Sequence, residues 1–390
     1  MRSKLPDVGT TIFTIQSRRA LELGALNIGQ GFPDYPIDER LAAEVTVAMR
    51  EGHNQYAPMA GVLELRRAIA AKLNLCYDIV VDPVEEVTVT CGGTEALFCA
   101  IQSVVGAGDE VIVFDPAYDA YEPAVRVAGG VCLRVPLRPP HFRVDWQRVR
   151  DLLNANTRLI ILNNPHNPAC AIASRADLDA LWLLLRGRDT YVLADEVYEH
   201  VVFDGARHQS VLSHQELRAR SFAVFSFGKT LHVTGWRVGY CVAPRLLTTE
   251  FRKIHQFNTF TIATPLQVAI ARYLAAVPDC WRGLSAFFAL KRDTLRDALA
   301  HSGFATPSSA GSYFQLLDFS ALSGANDVEF CEQLMREAGV ATLPLSPFYR
   351  QPPKIQLLRV CIAKSDSTLA LAAQKLNAYA ATLAARRRSF

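Results

Sequence analysis

Lys229 occupies a position in the sequence where its amine could react with a bound compound. The chain has 390 residues, and of its 41 basic residues only eight are Lys. Lys229 follows an apolar run that ends at Phe225, within the segment Ser-Phe-Gly-Lys-Thr. An amine can form a Schiff base with a carbonyl compound at neutral pH, whereas the guanidinium of Arg cannot. A lysine at a strand end can also simply face water, so Lys229 alone leaves both interpretations open.

Asp195 is an acidic residue at the end of another apolar run. The run Tyr-Val-Leu-Ala at 191–194 continues into Asp195-Glu196-Val197-Tyr198. A carboxylate at the end of a buried strand costs free energy unless a cation or good hydrogen bonds compensate it. A protonated pyridine nitrogen would be such a cation, and the charged ring would then withdraw electrons. The alternative is that Asp195 caps the N-terminus of a helix.

A glycine pair and an arginine could together hold a phosphate group. Residues 90–97 contain a strand end, the pair Gly92-Gly93 and a helix start, in an order that presents backbone N–H groups to an anion. Arg237 could add the paired donors that suit a phosphate. A glycine pair before a helix is often only a tight turn. The segment Asn-Asn-Pro-His-Asn-Pro at 163–168 likewise indicates only a turn when it is taken alone.

The elements that would position these side chains are short buried strands that alternate with helices. This alternation predicts a mostly parallel sheet with helices on both faces. In such a sheet ligands bind beyond the carboxyl ends of the strands, and Asp195 and Lys229 both stand where apolar runs end. The runs that predict strands lie at residues 87–90, 110–114, 159–162, 191–194, 222–225 and 238–242.

The length of the chain predicts one large domain and one smaller domain. Residues 1–40 contain several Gly and Pro residues, which predict an irregular N-terminal arm. Residues 41–284 would form the large domain. A helical pattern starts near Ser285 and ends at Gly303, and it marks the start of a C-terminal small domain over residues 285–390.

Composition excludes several classes of function. The net charge is only +3 and the charges are scattered, which argues against nucleic acid or a membrane surface as a partner. No window reaches the roughly 18 apolar residues of a membrane span, so we expect a cytoplasmic enzyme. The nine cysteines include no Cys-x-x-Cys pair, and we expect reduced thiols without a metal. The lack of a Gly-x-Gly-x-x-Gly turn disfavours a nicotinamide oxidoreductase.

In their order along the chain, the four motifs around Gly93, Asn167, Asp195 and Lys229 resemble those of the fold-type I pyridoxal-phosphate (PLP) enzymes, specifically the class I/II aminotransferases. The resemblance runs from about Leu26 to the last helix. It implies an α/β fold in which a large PLP-binding domain with a mostly parallel central sheet carries a smaller α+β domain. It also implies that Lys229 forms the Schiff base with PLP and then moves a proton between the substrate α-carbon and the cofactor.

The same resemblance assigns further contacts with the cofactor. Asp195 would pair with the pyridine nitrogen, while Tyr198 and Asn167 would donate to the hydroxyl oxygen of the ring. Tyr118 would stack on the ring, and Tyr56 would reach the phosphate of a neighbouring subunit, which implies a homodimer with shared active sites. The residues expected to surround the phosphate are Gly93, Thr94, Ser226 and Arg237.

The substrate site is expected around Arg359. This residue matches the family's arginine that binds the α-carboxylate in a two-pronged contact, although a strand-end arginine on the surface is the alternative. Gly31 would contribute a backbone contact to the same carboxylate, and Asn167 would also border the substrate. Phe32 and Phe260 are apolar, and these motifs contain no second arginine for an acidic side chain. The pocket is therefore expected to favour an uncharged, apolar or sulfur-bearing side chain.

Several segments resemble the methionine aminotransferase branch, which neighbours the glutamine/kynurenine aminotransferases; they are residues 54–59, 139–146 and 255–261. The chain departs from this branch in an arm that is shorter after Pro33, and from kynurenine-using relatives at Thr261. We expect a ping-pong reaction that moves the amino group of an L-amino acid to a 2-oxo acid, with methionine favoured over glutamine or an aromatic donor. Two alternatives stay open: a PLP-dependent cysteine-conjugate β-lyase, and a non-catalytic regulatory module on the same fold.

Overall fold

A computed structural model describes residues 3–388 of the chain; Met1, Arg2, Ser389 and Phe390, which belong to the predicted arm and small domain, lie outside the described residues. The strands are Leu26–Asn27 (β1), Val87–Cys91 (β2), Glu110–Asp115 (β3), Val131–Pro136 (β4), Thr157–Asn163 (β5), Tyr191–Asp195 (β6), Ser221–Ser226 (β7), Val238–Val242 (β8), Phe314–Asp318 (β9), Val340–Ala341 (β10), Leu343–Pro344 (β11) and Leu357–Cys361 (β12).

The helices surround these strands in sequence order. They are Ile12–Glu22 (α1), Glu39–Arg50 (α2), Leu63–Tyr77 (α3), Gly92–Val104 (α4), Tyr121–Val127 (α5), Trp146–Leu152 (α6), Arg175–Leu185 (α7), Gln215–Arg218 (α8), Phe227–Thr230 (α9), Arg245–Asn258 (α10), Thr264–Ala276 (α11), Leu284–Leu299 (α12), Asp327–Gln333 (α13) and Asp366–Arg388 (α14). None of these helices, within the part of the chain that is described, is long and apolar enough to cross a membrane.

Seven strands form the central sheet in the order β2-β8-β7-β6-β5-β3-β4. Strands β7, β6, β5, β3 and β4 pair in parallel, whereas β8 is antiparallel to both of its neighbours. The predicted mostly parallel α/β sheet is therefore confirmed, and all six apolar runs are strands in it. Strand β4 was not predicted, because it lies at the edge of the sheet and its sequence mixes exposed Val131 and charged Arg134 with apolar residues.

Alternate residues of each central strand pack into different cores. In β5, Ile160 and Leu162 belong to one buried cluster, and Leu159 and Ile161 belong to another. Successive side chains of a strand point to opposite faces, so both faces of the sheet are covered. Because both faces of the sheet are buried, the parallel strands are continuous apolar runs in the sequence.

A second layer of structure forms around the C-terminal third of the chain. Strands β11, β12 and β9 make an antiparallel sheet, and the helix predicted from about Ser285 is α12, which packs near α14. Leu26 and Asn27 of the N-terminal segment pair in parallel with Val340 and Ala341, which ties that segment to the C-terminal part. The division of the chain at residues 40 and 284 stays a prediction.

Candidate active site

A cavity of about 320 Å³ opens at the carboxyl ends of β5, β6 and β7. Its volume lies at the lower end of the range for small-molecule sites, roughly 300 to 1,000 Å³. The residues that line it include most of the site predicted from the sequence. They are Phe13, Gln30, Gly31, Gly93, Thr94, Leu97, Tyr118, Asn163, Asn167, Asp195, Val197, Tyr198, Ser226, Lys229, Phe314, Arg237 and Arg359.

Lys229 lies in the short helix α9, which follows β7 without a loop. Its Nζ donates a hydrogen bond to the hydroxyl of Tyr313 at 2.8 Å, and that hydroxyl donates to the carbonyl of Gly31 at 2.6 Å. Burial lowers the pKa of Lys229 to about 8, and the charges of Arg237 and Arg359 act in the same direction. Near neutral pH the amine therefore loses a proton far more readily than an ordinary lysine, as a nucleophile or base must.

Asp195 is buried at the end of β6 and bonded at both carboxylate oxygens. Oδ2 accepts a hydrogen bond from the hydroxyl of Tyr121 at 2.6 Å, and Oδ1 accepts a longer one from the N–H of Val197 at 3.4 Å. Burial raises the pKa of Asp195 to about 6, and the bond from Tyr121 opposes that shift. No helix begins directly after Asp195, so the helix-capping alternative does not hold. The carboxylate is instead held ready for a cationic partner.

Arg359 in β12 is 1% exposed, so the surface-arginine alternative is wrong. Its Nη1 donates to Oδ1 of Asn167 at 2.6 Å and its Nη2 donates to the carbonyl of Gly29 at 2.9 Å, while Nε has no partner. The guanidinium lies 3.8 Å from the ring centroid of Phe314. Burial lowers the pKa of Arg359, and no carboxylate pairs with it among residues 3–388. Because Arg359 also lines the cavity, its charge is available to an anionic ligand there.

A second cation borders the glycine turn. Gly92 has φ +71°, a conformation that favours glycine, and a Cβ at that position would lie 2.5 Å from Nη2 of Arg237 and displace the guanidinium. Nη1 of Arg237 donates to the carbonyl of Thr234 at 3.1 Å, and within the described chain no carboxylate pairs with Arg237. Helix α4 begins at Gly92, which directs its free N–H groups toward the same place.

Two asparagines connect the strand ends to the cavity. Oδ1 of Asn163 accepts a hydrogen bond from the N–H of Asn167 at 2.7 Å, and Nδ2 of Asn163 donates to the carbonyl of Asp195 at 3.0 Å. The segment that follows β5 is thereby fixed to β6. Its fixed geometry places Asn167 against Arg359.

Aromatic side chains complete the wall of the cavity. The hydroxyls of Tyr118 and Thr94 are 3.3 Å apart, and the rings of Tyr198 and Tyr313 meet edge to face at 4.9 Å. Burial raises the pKa of Tyr198, so its hydroxyl keeps its proton and can donate it.

The structure does not bring Phe32, Phe260 and Tyr56 into this cavity. Tyr56 is 85% exposed, and its ring lies 5.6 Å from that of Phe260, which is itself 41% exposed. The ring of Phe32 lies under the ammonium of Lys364, which also donates to the carbonyl of Phe32 at 2.8 Å. The expectation that Phe32 and Phe260 line the pocket is therefore not met within one chain.

Several residues of the site were missed in the sequence, among them Phe314, which lines the cavity and packs against Arg359. Phe13, Tyr121 and Tyr313 were not singled out, although the first lines the cavity and the others bond to Asp195 and Lys229. Tyr121 stands three residues after Tyr118, a spacing that could have indicated a shared site. Phe13 gave no signal at all, because it meets the cavity only through the packing of α1.

Comparisons with known proteins identify relatives over nearly the whole chain. The family model described as aminotransferase class I and II matches residues 24–376. The chain is 50% identical over 379 residues to methionine aminotransferase of Escherichia coli (strain K12), covering 96% of this chain and 97% of that protein. It is 33% identical to kynurenine–oxoglutarate transaminase 3 of Rattus norvegicus, covering 90% and 84%. The crystal structure of Escherichia coli YbdL, described as having a methionine aminotransferase function, matches with a TM-score of 0.95 at 49% identity, covering 97% and 99%.

Proposed function

Because the chain belongs to the class I and II aminotransferases, we propose that it binds PLP beside Lys229 and transfers the amino group of an L-amino acid, with methionine favoured, to a 2-oxo acid. One observation carries the proposal. A lysine with a lowered pKa, a buried carboxylate and two cations without carboxylate partners border the same cavity. The family as a whole uses PLP as its cofactor.

The residues present fit this cofactor. When bound, PLP supplies a carbonyl carbon that takes up the amino group and a ring that withdraws electrons from the substrate α-carbon. Asp195, held by Tyr121, would keep a proton on the ring nitrogen. Arg237 and the first N–H groups of α4 would hold the phosphate together with Gly93, Thr94 and Ser226.

The chain's own groups would then do the proton transfer and the positioning. Arg359 would hold the α-carboxylate of the substrate, aided by the backbone of Gly31. Lys229 would take a proton from the substrate α-carbon and return it at the cofactor, since its lowered pKa suits both steps. Tyr198 and Asn167 would donate hydrogen bonds to the ring hydroxyl, and Tyr118 would cover the ring.

An uncharged amino acid suits the remaining wall of the cavity. Phe13, Leu97 and Phe314 provide apolar surface, and within the described residues the only arginines that line the cavity are Arg237 and Arg359. The carboxylate of an acidic side chain would have no cation there, whereas a thioether packs well against aromatic rings. The identity of 50% to a methionine aminotransferase supports the same donor. The β-lyase alternative receives no such support, and membership of an enzyme family argues against a non-catalytic module.

A second copy of the chain would complete the site. Tyr56, Phe257 and Phe260 are aromatic residues with substantially exposed side chains. An exposed aromatic group of this kind is typical of an interface. We place Tyr56 at the phosphate of the partner subunit, and Phe260 beside it. A homodimer explains why these side chains lie outside the cavity of their own chain. The cytoplasmic location remains a prediction.

The proposed donor is tested by following the cofactor absorbance while one amino acid at a time is added to the holoenzyme. Methionine is expected to convert the cofactor fastest, followed by glutamine and phenylalanine. Aspartate serves as the matched control, because it adds a carboxylate that the apolar wall cannot pair. A response to aspartate alone would refute the apolar pocket. Borohydride reduction followed by peptide mapping locates the cofactor, and an adduct on a lysine other than Lys229 would refute the site.

A further inference from the structure

A second cavity, of about 430 Å³, adjoins the active site and has no part in the proposed reaction. Asn163 lines both cavities. Segment 139–146, whose sequence resembles the methionine aminotransferase branch, forms one wall of the second cavity. The apolar side chains that surround the space are Phe114, Leu137, Phe142, Trp146, Leu162 and Ile172. Walls of this kind bind flat or branched apolar groups.

His166 is the buried polar group inside this second cavity, with 6% of its surface exposed. Its Nδ1 accepts a hydrogen bond from the N–H of Ala169 at 3.3 Å, so the ring proton sits on Nε2. Burial lowers the pKa of His166 to about 4, which keeps the ring neutral at physiological pH. Among the described residues Nε2 has no partner. This donor is therefore free to bond to a molecule in the cavity.

The mouth of the second cavity carries an exposed cation. Arg143 and His141 are exposed there, and neither is paired with a carboxylate in the described chain. Asp177 also lines the cavity, but its Oδ1 accepts from Nε1 of Trp146 at 2.9 Å and its Oδ2 accepts from Ser174 at 2.6 Å. The cation of Arg143 is therefore the charge available to a ligand.

Arg138 and Arg148 lie in the groove beside the mouth and add to its positive charge. The one carboxylate in that groove, Asp145, caps helix α6 by accepting from the N–H of Arg148 at 3.0 Å. The surroundings of the mouth thus favour an anion.

We propose that this second cavity binds a small aromatic carboxylate that carries an oxygen acceptor at its far end. The carboxylate lies at Arg143, the ring lies between Phe142 and Trp146, and the acceptor receives the N–H of His166. One molecule would thereby contact both the free donor of His166 and the exposed cation of Arg143. The site is separate from the one that binds the amino-acid substrate.

The test is a calorimetric titration of the holoenzyme with three probes. 4-Hydroxyphenylacetate has both polar ends, phenylacetate lacks the inner oxygen, and 4-hydroxyphenylacetamide lacks the charge. We expect each truncated probe to bind about five- to ten-fold more weakly, as the loss of one hydrogen bond or one charge contact implies. Failure of 4-hydroxyphenylacetate to bind at millimolar concentration overturns the proposal.

Variants separate this site from the active site. Arg143→Gln is expected to weaken 4-hydroxyphenylacetate about five-fold and to leave the amide probe unchanged. Arg148→Gln is the matched control, because this exposed arginine lies in the neighbouring groove and not in the cavity, and it should weaken the probe much less than Arg143→Gln. His166→Phe should remove the preference for the hydroxylated probe. If this variant does not fold, Arg143→Gln and the three probes still test the proposed site. Equal effects of Arg143→Gln and Arg148→Gln, or binding lost only in Arg359→Lys, overturn the proposal.

Discussion

Two buried cations in the scaffold, Lys72 and Arg292, have carboxylate partners, whereas the two in the candidate active site do not. Lys72 donates to Glu199 and, at 3.0 Å, to the hydroxyl of Tyr240. Arg292 is 2% exposed, and its two terminal nitrogens donate to Asp204 at 2.9 and 2.7 Å. Each of these two cations is therefore paired with a carboxylate of the same chain.

Lys229 and Arg359 are left with neutral partners. The first bonds to a tyrosine hydroxyl, and the second bonds to an amide oxygen and a carbonyl. Leaving a buried cation without a counter-charge costs folding free energy, and an anionic or carbonyl-bearing ligand reverses that cost on binding. The comparison shows that Lys229 and Arg359 remain available to a ligand in the cavity, while Lys72 and Arg292 stabilise the fold through their ion pairs.

The largest effect is expected from Lys229→Ala. Without the amine, no group of the chain can move the proton at the substrate α-carbon, and turnover should fall by at least about a thousand-fold. Steady-state transamination of methionine measures the loss. The apoenzyme should not lose thermal stability, because the lysine has no charged partner to leave behind. If the variant keeps a tenth of the activity, Lys229 is not the group that transfers the proton.

Glu199→Gln tests the ion pair between Lys72 and Glu199 in the scaffold. It leaves the ammonium of Lys72 buried without a counter-charge, so the free energy of unfolding should drop by about 4 kcal/mol. Denaturant titration measures the change, and the activity of the molecules that remain folded should fall much less than in Lys229→Ala. If stability is unaffected, the Lys72–Glu199 pair is not structural.

Arg359→Lys should lower kcat/KM for methionine by about 100-fold, because a lysine cannot reproduce a two-pronged contact with a carboxylate. The loss should appear mainly in KM. Stability is the discriminating measurement: unlike Glu199→Gln, this change separates no ion pair and should leave the unfolding midpoint nearly unchanged. A large loss of stability with a normal KM would assign Arg359 to the scaffold.

Tyr121→Phe should have a smaller effect that acts through Asp195. Removing the hydroxyl removes a hydrogen bond that lowers the pKa of Asp195, so this carboxylate would stay protonated to a higher pH. We expect the affinity for PLP to fall about ten-fold, measured by equilibrium dialysis of the apoenzyme. Tyr118→Phe is the control, since its hydroxyl contacts Thr94 and not Asp195.

A final effect concerns the stability of the apoenzyme alone, which should depend on pH. The pKa of Lys229 is about 8 in the folded chain and 10.5 in its ordinary state, so between these values the unfolded chain binds more protons. Stability therefore rises with pH across that window, and the contribution is absent in Lys229→Met. Unfolding curves of both proteins from pH 8 to 10.5 measure the difference. If the free energy of unfolding changes with pH equally in both proteins, Lys229 is not desolvated in the folded chain.

Local patterns in the sequence predicted the central sheet well. Buried parallel strands are continuous apolar runs, so six of the seven strands were found from the sequence. The edge strand Val131–Pro136 was missed because charged Arg134 interrupts its apolar residues and Val131 is exposed. The same logic predicted that Asp195 and Lys229 follow strand ends, where a parallel sheet gathers its ligands.

The pocket wall was predicted less well. Phe32 and Phe260 were chosen for their apolar character, yet one lies against Lys364 and the other beside exposed Tyr56. Phe13 takes the position near the guanidinium of Arg359, at 5.2 Å. Apolar residues are frequent, and which of them face a cavity depends on how distant segments pack.

The sequence by itself determined which residue types can do the chemistry and which strands present them, because periodicity and turn signals are local properties of the chain. Only the tertiary structure decided which charges find partners. Lys72 and Lys229 are both lysines near apolar residues, and their neighbours along the chain do not show which of the two finds a counter-charge. Their difference arises because Glu199 is packed against the first, while only a tyrosine reaches the second. Electrostatic pairing acts over a few ångströms in space, and those distances are set by elements far apart in sequence.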